Sequence, residues 1–374
     1  MTAVPTMTTL KAINDLHRHC APLRAEIEAA FAAVLDRGHF ILGPEVDTFE
    51  QAFAAACGVA HGIAVANGTD ALELALKACG VGPGDVVATV ANAGLYSTTA
   101  IRLVGGVPAY ADVDPATGLV SLADLAAVCN RFRPRAIVAT HLYGRMVDMP
   151  AVLEIAQAHG CRTIEDCAQA HLATLHDRPA GSWGDLGCFS FYPTKNLGAI
   201  GDAGAVVTSA QPLAAALREL RQYGWSAKYD ATRPAGRNSR MDELQAAVLS
   251  RFLPLLGQWN DRRRAIARAY GEGIRHPAVR PLAGSGCSYV AHLYVARCPD
   301  RDALRAHLRE RGIPTDVHYP IPDHRQQANP ADWLALGLSV TERLAAEVVT
   351  LPCFPEMTDA EVETVIAGVN TWRL

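Results

Sequence analysis

Short apolar blocks separated by amphipathic stretches run through the middle of the chain and predict alternating strands and helices. From residue 61 to residue 208, seven runs of β-branched or apolar residues are bounded by Gly, Pro or Asp, with helical patterns between them. Strands connected by helices in this way form parallel βαβ units. The pattern therefore predicts an α/β protein with a mostly parallel, seven-stranded sheet flanked by helices, its strands at 61–67, 86–90, 107–113, 136–141, 162–165, 187–191 and 204–208.

The pattern changes after residue 208. A helix predicted at 212–223 precedes a polar, glycine-containing stretch at 224–239, whose length is typical of a functional or interfacial segment. A long helical region at 241–274 is interrupted at Pro254. A smaller α+β unit follows, with strands at 292–298 and 317–319 and helices at 300–311 and 359–372. We expect a large domain at 1–255, including an N-terminal helical segment, a small C-terminal domain at 256–374, and a site in the crevice between them.

Composition and charge narrow the class of protein. The chain has 374 residues, of which 50% are hydrophobic and 19% charged, so it can bury a large core. A formal net charge of −4 lacks the basic excess that nucleic-acid binding needs. The ten cysteines form no CxxC pair, which favours buried, reduced thiols. Without a membrane-spanning apolar run or a signal-peptide pattern, we expect a cytoplasmic enzyme.

A glycine and a hydroxyl residue lie where a predicted strand ends and a helix begins. Gly68 and Thr69 precede a helical run that extends to Ala78. The free N–H groups and the positive dipole end at a helix N-terminus can hold an anion such as a phosphate. The same residues also fit an ordinary helix start, with Thr69 as the cap and Gly68 in the turn. The sequence leaves both interpretations open here.

Two adjacent carboxylates mark the end of another predicted strand. Glu165 and Asp166 lie at the carboxyl edge of the sheet, where ligands bind in doubly wound folds. Successive side chains of a strand point to opposite faces, so at most one of them faces a given pocket. We expect Asp166 to be the functional carboxylate and Glu165 to cap the next helix.

A lysine lies between an apolar strand and a glycine-rich turn. Lys195 follows the predicted strand at 187–191 and precedes Gly198, Gly201 and Gly204. Burial lowers the pKa of a lysine and yields the neutral amine that condenses with a carbonyl. The alternative is a solvated lysine in a surface turn.

In chain order, the phosphate-binding turn, the aspartate and the lysine match the needs of one cofactor, pyridoxal 5′-phosphate (PLP). PLP requires an anion site, a carboxylate at its pyridine nitrogen and a lysine that binds its aldehyde. These signals predict a PLP enzyme without a catalytic metal.

At these positions the chain resembles the DegT/DnrJ/EryC1/StrS family of sugar aminotransferases, which are PLP enzymes of fold type I. The resemblance covers nearly the whole chain. It rests on GPEV at 43–46, NGTDAL at 67–72, EDCAQA at 165–170, SFYPTKNLG at 190–198, GRNSRMDELQAA at 236–247, HYP at 318–320 and LP at 351–352.

The resemblance implies a role for each matching residue. Lys195 binds the cofactor covalently and moves the proton between substrate and cofactor, and Asp166 pairs with the pyridine nitrogen. Gln169 lies beside the ring near its phenolic oxygen. Gly68, Thr69 and Ser190 hold the phosphate, while Asn238 reaches the phosphate of the neighbouring subunit. The last role implies a homodimer with shared active sites.

Two positions distinguish this chain within the resemblance. Related sugar dehydratases carry histidine at the position of Lys195, so the lysine favours transamination over dehydration or a non-catalytic regulator. Family members commonly have an aromatic residue stacked on the cofactor ring, and that position falls on Gly94. Tyr96, two residues later, is the candidate for this stacking role.

The expected reaction is ping-pong transfer of an amino group from glutamate or glutamine to a nucleotide-linked keto-6-deoxy sugar. The residues that we expect to contact the sugar or its diphosphate are Tyr223, Lys228, Tyr229, His318 and Tyr319. Tyr223 and Lys228-Tyr229 resemble family members that aminate C3 of dTDP-linked 3-keto sugars. A C4-keto sugar and a keto-cyclitol remain alternatives. A core histidine in a short strand is an equal alternative for His318.

Overall fold

The computed structural model describes residues 10–282 and 284–373. Its strands are β1 (His61–Val65), β2 (Val86–Val90), β3 (Val107–Ala111), β4 (Ala136–Thr140), β5 (Arg162–Asp166), β6 (Thr174–Leu175), β7 (Arg178–Pro179), β8 (Leu186–Ser190), β9 (Gly204–Thr208), β10 (Trp225–Ala227), β11 (Asp230–Ala231), β12 (Arg280–Pro281), β13 (Tyr294–Arg297), β14 (Leu334–Ala335) and β15 (Val348–Leu351). Its helices are α1 (Leu16–Cys20), α2 (Arg24–Arg37), α3 (Pro44–Ala56), α4 (Gly68–Ala78), α5 (Tyr96–Leu103), α6 (Leu122–Phe132), α7 (Met149–His159), α8 (Gln211–Leu220), α9 (Glu243–Phe252), α10 (Leu256–Gly273), α11 (Arg301–Glu310), α12 (Ser339–Glu347) and α13 (Asp359–Asn370).

The main sheet contains all seven predicted strands, in the order β1-β9-β8-β5-β4-β2-β3-β14. Only β9 runs against the others, since it pairs antiparallel with both β1 and β8. The mostly parallel α/β class is confirmed, but the strand count of seven is wrong. The eighth strand, β14, pairs parallel with β3 through Leu334 and Ala335, and two residues are too short to leave a periodic signal.

The sheet is buried on both faces, which explains why its strands are nearly continuous apolar runs. On one face, side chains such as Ile63 and Ile164 pack with residues of α4, α5 and α8. On the other face, the strands pack against α3 and α9 at one end and against α6 and α7 at the other. The helices leave the carboxyl ends of the parallel strands as an open edge.

The C-terminal part packs around its own apolar cluster. Strands β12, β13 and β15 form an antiparallel sheet, and β13 and β15 share this cluster with α10, α11 and α13. The predicted interruption at Pro254 is present as a 3₁₀ turn, Leu253–Leu255, between α9 and α10. The domain boundary at residue 255 stays a prediction, because Leu256 and Trp259 still contact the core of the large sheet. Among the described residues, no helix could cross a membrane.

The strand predicted at 317–319 is wrong. Only Asp316 pairs there, in a single bridge with Thr350 of β15. The Val317 N–H instead donates to Asp316 Oδ1 at 2.8 Å, and the His318 carbonyl accepts the Tyr143 hydroxyl at 2.6 Å, so these backbone groups are not available for pairing with β15. Residues 317–319 instead form an irregular segment that leads His318 and Tyr319 to the edge of the main sheet.

Candidate active site

A cavity of about 650 Å³ lies at the carboxyl ends of β4, β5 and β8. Its far wall comes from the C-terminal part of the chain, through residues such as His292, Asp316 and Thr350. Nine residues predicted from the sequence line this cavity together: Gly68, Thr69, Tyr96, Asp166, Gln169, Ser190, Lys195, His318 and Tyr319.

One end of the cavity is the N-terminus of α4. The helix cap is Asn67, whose side chain accepts the Asp70 N–H at 2.8 Å, so the alternative in which Thr69 caps the helix is wrong. The N–H groups of Gly68 and Thr69 have no acceptor among the described residues. A side chain at position 68 would put its Cβ 2.6 Å from the Cβ of Ser190, so only glycine lets this serine approach the helix end. The result is a cluster of N–H and hydroxyl donors suited to an anion.

Lys195 lies in the same cavity, in the turn after β8, where Tyr192 accepts its backbone N–H at 2.8 Å. Burial lowers the pKa of Lys195 to about 8, although the negative charge of Asp166 acts in the opposite direction. The fraction of neutral amine near neutral pH is therefore much larger for Lys195 than for a solvated surface lysine.

Asp166 ends β5 and is buried on the floor of the cavity. Burial raises the pKa of its carboxyl group, and the Ala168 N–H, Lys195 and His141 act against this rise. The Ala168 N–H donates to Oδ1 at 3.2 Å, and the Ser97 hydroxyl lies 3.4 Å from Oδ2. The carboxylate is thus a buried charge that a cationic group in the cavity would stabilise.

Glu165 points to the other face of β5 and does not cap a helix, so that expectation is wrong. Its carboxylate is fully buried. It accepts three backbone N–H groups from the loop after β7, those of Gly181 at 3.0 Å, Trp183 at 2.7 Å and Gly184 at 2.9 Å. It also pairs with His141 Nε2 at 2.9 Å, and His141 Nδ1 accepts the Val147 N–H. Cys167 lies within 4.8 Å of this pair, a grouping that could in principle hold a metal ion. Four donors already occupy the acceptor sites of the carboxylate, so we assign these residues the role of holding the loop after β7 in place.

Glu165→Gln is expected to lower the free energy of unfolding by about 2–4 kcal/mol, because the amide NH₂ would face backbone N–H donors. The midpoint of urea unfolding at pH 7, compared with the exposed control Glu363→Gln, measures this effect. Equal midpoints for the two variants would show that the four-donor network contributes nothing to stability.

Tyr319 occupies the space above Gly94. A Cβ at position 94 would lie 2.9 Å from two ring atoms of Tyr319 and 3.0 Å from Tyr96. The Tyr319 hydroxyl accepts a hydrogen bond from Gln169 Nε2 at 3.1 Å, and Gln169 Oε1 accepts the Tyr143 N–H at 2.6 Å. Tyr96 starts α5, is half exposed at the cavity and meets Tyr319 edge to face, with ring centroids 6.2 Å apart. The stacking role of Tyr96 stays a prediction.

His318 borders the cavity, and its Nδ1 lies 2.9 Å from Thr350 Oγ1. The alternative of a core histidine in a short strand does not apply to His318, because residues 317–319 form no strand and the imidazole lines the cavity. By contrast, Asn238, Tyr223, Lys228 and Tyr229 are exposed and do not line this cavity. The structure of one chain therefore does not bring these four residues to Lys195.

Several residues at the cavity were missed in the sequence. His141 follows β4, and the strand-end rule that found Asp166 also applies to it. Asn14 donates to the Thr194 carbonyl at 3.0 Å, and His292 comes from the C-terminal part. Asn14 and His292 reach the site only through tertiary packing, so no local pattern marks them.

The residues present fit PLP. The donor cluster at α4 suits its phosphate, the buried Asp166 suits a protonated pyridine nitrogen, and Lys195 is an amine with a lowered pKa. Thr140 Oγ1 is also buried at the cavity without a hydrogen-bond partner among the residues that the structure describes. An α/β fold of this topology with this site defines a PLP-dependent enzyme of fold type I.

Comparison with known proteins gives the family. Residues 22–370 match the DegT/DnrJ/EryC1/StrS aminotransferase family, and the chain belongs to it. It is 40% identical, over 98% of both chains, to a UDP-N-acetyl-3-dehydro-α-D-glucosamine 3-aminotransferase from Acidithiobacillus ferrooxidans. It is 42% identical to a dTDP-3-amino-3,4,6-trideoxy-α-D-glucose transaminase from Streptomyces venezuelae, over 96% of this chain and 95% of the relative.

Solved structures agree with this assignment. DesV from S. venezuelae, crystallised with a ketimine intermediate, is 40% identical with a TM-score of 0.93, covering 98% of this chain and 99% of DesV. NtdA from Bacillus subtilis, crystallised with the cofactor PMP (the amine form of PLP), is 28% identical with a TM-score of 0.87, covering 99% of this chain and 85% of NtdA. The predicted family, fold type and PLP cofactor are confirmed.

Proposed function

We propose that this enzyme transfers an amino group from glutamate or glutamine to C3 of a nucleotide-linked 3-keto sugar, with a dTDP-linked 3-keto-6-deoxyhexose as the first candidate. The observation that carries the proposal is that Lys195, Asp166 and the donor cluster at the start of α4 line the same cavity. These groups match the aldehyde, the pyridine nitrogen and the phosphate of one cofactor.

When bound, PLP supplies an aldehyde that accepts the amino group and a ring that takes up electrons from the bond that breaks. The protein residues have separate tasks. Asp166 keeps the pyridine nitrogen protonated through its buried charge, and Gly68, Thr69 and Ser190 bind the phosphate. Lys195 would hold the aldehyde of the bound cofactor, and its Nζ amine would carry one proton in each half of the ping-pong reaction.

The names of two relatives support C3 as the site of amination. The A. ferrooxidans enzyme is named for a 3-dehydro UDP-sugar, and the S. venezuelae enzyme for a 3-amino dTDP-sugar. The nucleotides differ, whereas the position on the sugar is the same. A C4-keto sugar and a keto-cyclitol are the alternatives.

The choice between C3 and C4 can be tested with two substrates. The purified enzyme is incubated with glutamate and either a 3-keto or a 4-keto nucleotide sugar, and the aminated carbon is read from the NMR spectrum of the product. Amination of the 3-keto sugar alone is expected. A product with nitrogen at C4 would contradict the proposal.

The segment that carries Asn238 supports a homodimer with shared sites. Arg237 contacts Asp70 at 3.2 Å and pairs with Glu73 of α4, and Lys77 donates to the Ala235 carbonyl at 2.8 Å. These contacts tie the segment to its own chain, yet Asn238 is exposed and lies outside that chain's cavity. We therefore assign Asn238, together with Tyr223 before β10 and Lys228 and Tyr229 in the turn between β10 and β11, to the site of the partner subunit.

Asn238→Ala is expected to weaken PLP binding about 5- to 10-fold without dissociating the dimer, because one hydrogen bond to a charged phosphate is lost. The dissociation constant of PLP from the purified variant measures the effect, and analytical ultracentrifugation reports the oligomer. An unchanged dissociation constant would remove Asn238 from the cofactor site.

The lowered pKa of Lys195 predicts how capture of PLP by the apoprotein depends on pH. The neutral amine is the reactive form, so the capture rate should rise about tenfold per pH unit below a pKa of about 8 and level off above it. In Asp166→Asn the plateau should begin at lower pH, because the charge of Asp166 raises the pKa of Lys195. Stopped-flow absorbance between pH 7 and 10 measures both profiles, and a rate that still rises at pH 10 would contradict burial of the amine.

A further inference from the structure

His292 lines the same cavity as Lys195, and the proposed reaction assigns no role to it. It precedes β13 and is 6% exposed. Its ring Nδ1 lies 3.0 Å from Oδ1 of Asn196, the residue that follows Lys195 in the chain. The imidazole thus joins the C-terminal part to the turn that carries the lysine.

The hydrogen bonds behind His292 fix which ring nitrogen carries the proton. Asn260 Nδ2 donates to the His171 carbonyl at 2.9 Å, so Asn260 Oδ1 is free to accept. Asn196 Nδ2 donates to that oxygen at 2.8 Å and to the Val290 carbonyl at 3.0 Å. Asn196 Oδ1 is therefore an acceptor, and the hydrogen atom between it and His292 belongs to Nδ1.

The ring is also neutral, so Nε2 carries no proton. Burial lowers the pKa of His292 well below 6.5, and the positive charges of Lys195 and Arg263 lower it further. Arg263 is itself buried, and its guanidinium lies 3.3 Å from the His292 carbonyl. A neutral imidazole with its hydrogen on Nδ1 presents Nε2 only as a hydrogen-bond acceptor.

No described residue donates to Nε2. Lys195 lines the same cavity but makes no hydrogen bond to His292 Nε2. An ammonium group of a ligand is disfavoured there by the positive charge of the buried Arg263. A neutral hydroxyl group meets no such repulsion, and a keto sugar carries hydroxyls close to its carbonyl.

We propose that His292 Nε2 accepts a hydrogen bond from a hydroxyl group that flanks the reacting carbonyl of the sugar, so that His292 selects for sugars with this hydroxyl. The proposal rests on the proposed function, because it assumes that a keto sugar reacts at Lys195. An acceptor that is fixed in orientation and partly desolvated penalises a ligand that leaves it unpaired.

The test compares a 3-keto sugar with its two deoxy analogues, each lacking one of the hydroxyls next to the carbonyl. In the wild-type holoenzyme, kcat/KM should fall about 10- to 100-fold for one analogue. His292→Phe should lower kcat/KM for the unmodified 3-keto sugar by the same factor. The variant should then have equal kcat/KM values for this sugar and for that analogue. His292→Gln, which retains an acceptor oxygen, should recover part of the selectivity. His276→Gln is the control, since His276 packs on Trp372 away from the cavity.

Two further measurements on His292 do not depend on catalytic turnover. In the Lys195→Ala background, calorimetry should give a 10- to 100-fold weaker dissociation constant for the same analogue, and His292→Phe should abolish this difference. Nitrogen NMR of the apoprotein, assigned through the loss of signals in His292→Gln, should show His292 neutral with its proton on Nδ1 at pH 7.

Equal effects of His292→Phe on all three sugars, or a proton on Nε2, would overturn the role of His292. If the wild-type enzyme aminates no keto sugar, the proposed function fails. The calorimetry and the NMR spectrum still report on His292 in that case, so the two failures are distinguishable.

Discussion

Replacing Lys195 by alanine is expected to lower turnover by about 10⁴-fold or more, because one amine both binds the cofactor aldehyde and moves the proton in each half-reaction. The variant should still bind PLP through the phosphate donors of Gly68, Thr69 and Ser190, but without the visible absorption band of the covalently bound cofactor. Steady-state assays and absorbance spectra of the purified protein measure the two effects.

Lys11→Ala is the matched control for this prediction, since Lys11 is exposed and lies outside the cavity. It should retain wild-type activity and spectrum. Circular dichroism and sedimentation should show Lys195→Ala folded and with the oligomeric state of the wild type. Substantial activity in a folded Lys195→Ala variant would refute the assignment of the whole site.

Asp166→Asn is expected to have the second largest effect, a loss of about 10²- to 10³-fold in kcat, because it removes the buried charge that keeps the pyridine nitrogen protonated. Asparagine has nearly the same volume, so the effect on packing should be small. The half-reaction of the PLP form with glutamate, followed by stopped-flow absorbance, isolates this step.

Asp302→Asn serves as the control, since this carboxylate is exposed on α11. A PLP analogue with carbon in place of the pyridine nitrogen has no ring atom to protonate, so Asp166→Asn should lower kcat little with that analogue. An equally large loss with both cofactors would show that Asp166 acts through packing instead of through charge.

The sequence was sufficient for the sheet wherever a strand is long enough to carry a pattern. The runs at 86–90 and 204–208 match β2 and β9 at both ends, because turn-forming residues delimit them. Leu334 and Ala335 form a strand only because β3 offers them an edge. The run at 317–319 has the local pattern of a strand, yet its backbone groups bond to the side chains of Asp316 and Tyr143 instead of to β15.

The site shows the same division between local and tertiary signals. Gly68, Asp166 and Lys195 could be found because each lies where a strand ends, and parallel topology brings strand ends together. The role of Glu165 could not be predicted, because its four partners come from the residue after β4 and from the loop after β7. The proton position on His292 depends on Asn196 and Asn260, which meet only in the folded chain.

Tyr319 lies at the cavity wall because Gly94 has no side chain. Gly94 marks a position without a side chain, and Tyr319, more than 200 residues later, fills the space above it. Its neighbour Tyr96 was the local candidate, since sequence proximity was the one criterion available. The cavity wall at this point is therefore built by two tyrosines from distant segments.

The most direct test of the account is the stoichiometry of amino transfer. The PLP-loaded enzyme is incubated with glutamate and a nucleotide-linked 3-keto sugar, and 2-oxoglutarate and sugar product are quantified together. One molecule of 2-oxoglutarate released for each amino sugar formed is the predicted result. A deoxygenated sugar without 2-oxoglutarate would contradict the account, and so would the absence of any amino sugar from a correctly loaded enzyme with glutamate and, in a parallel sample, with glutamine.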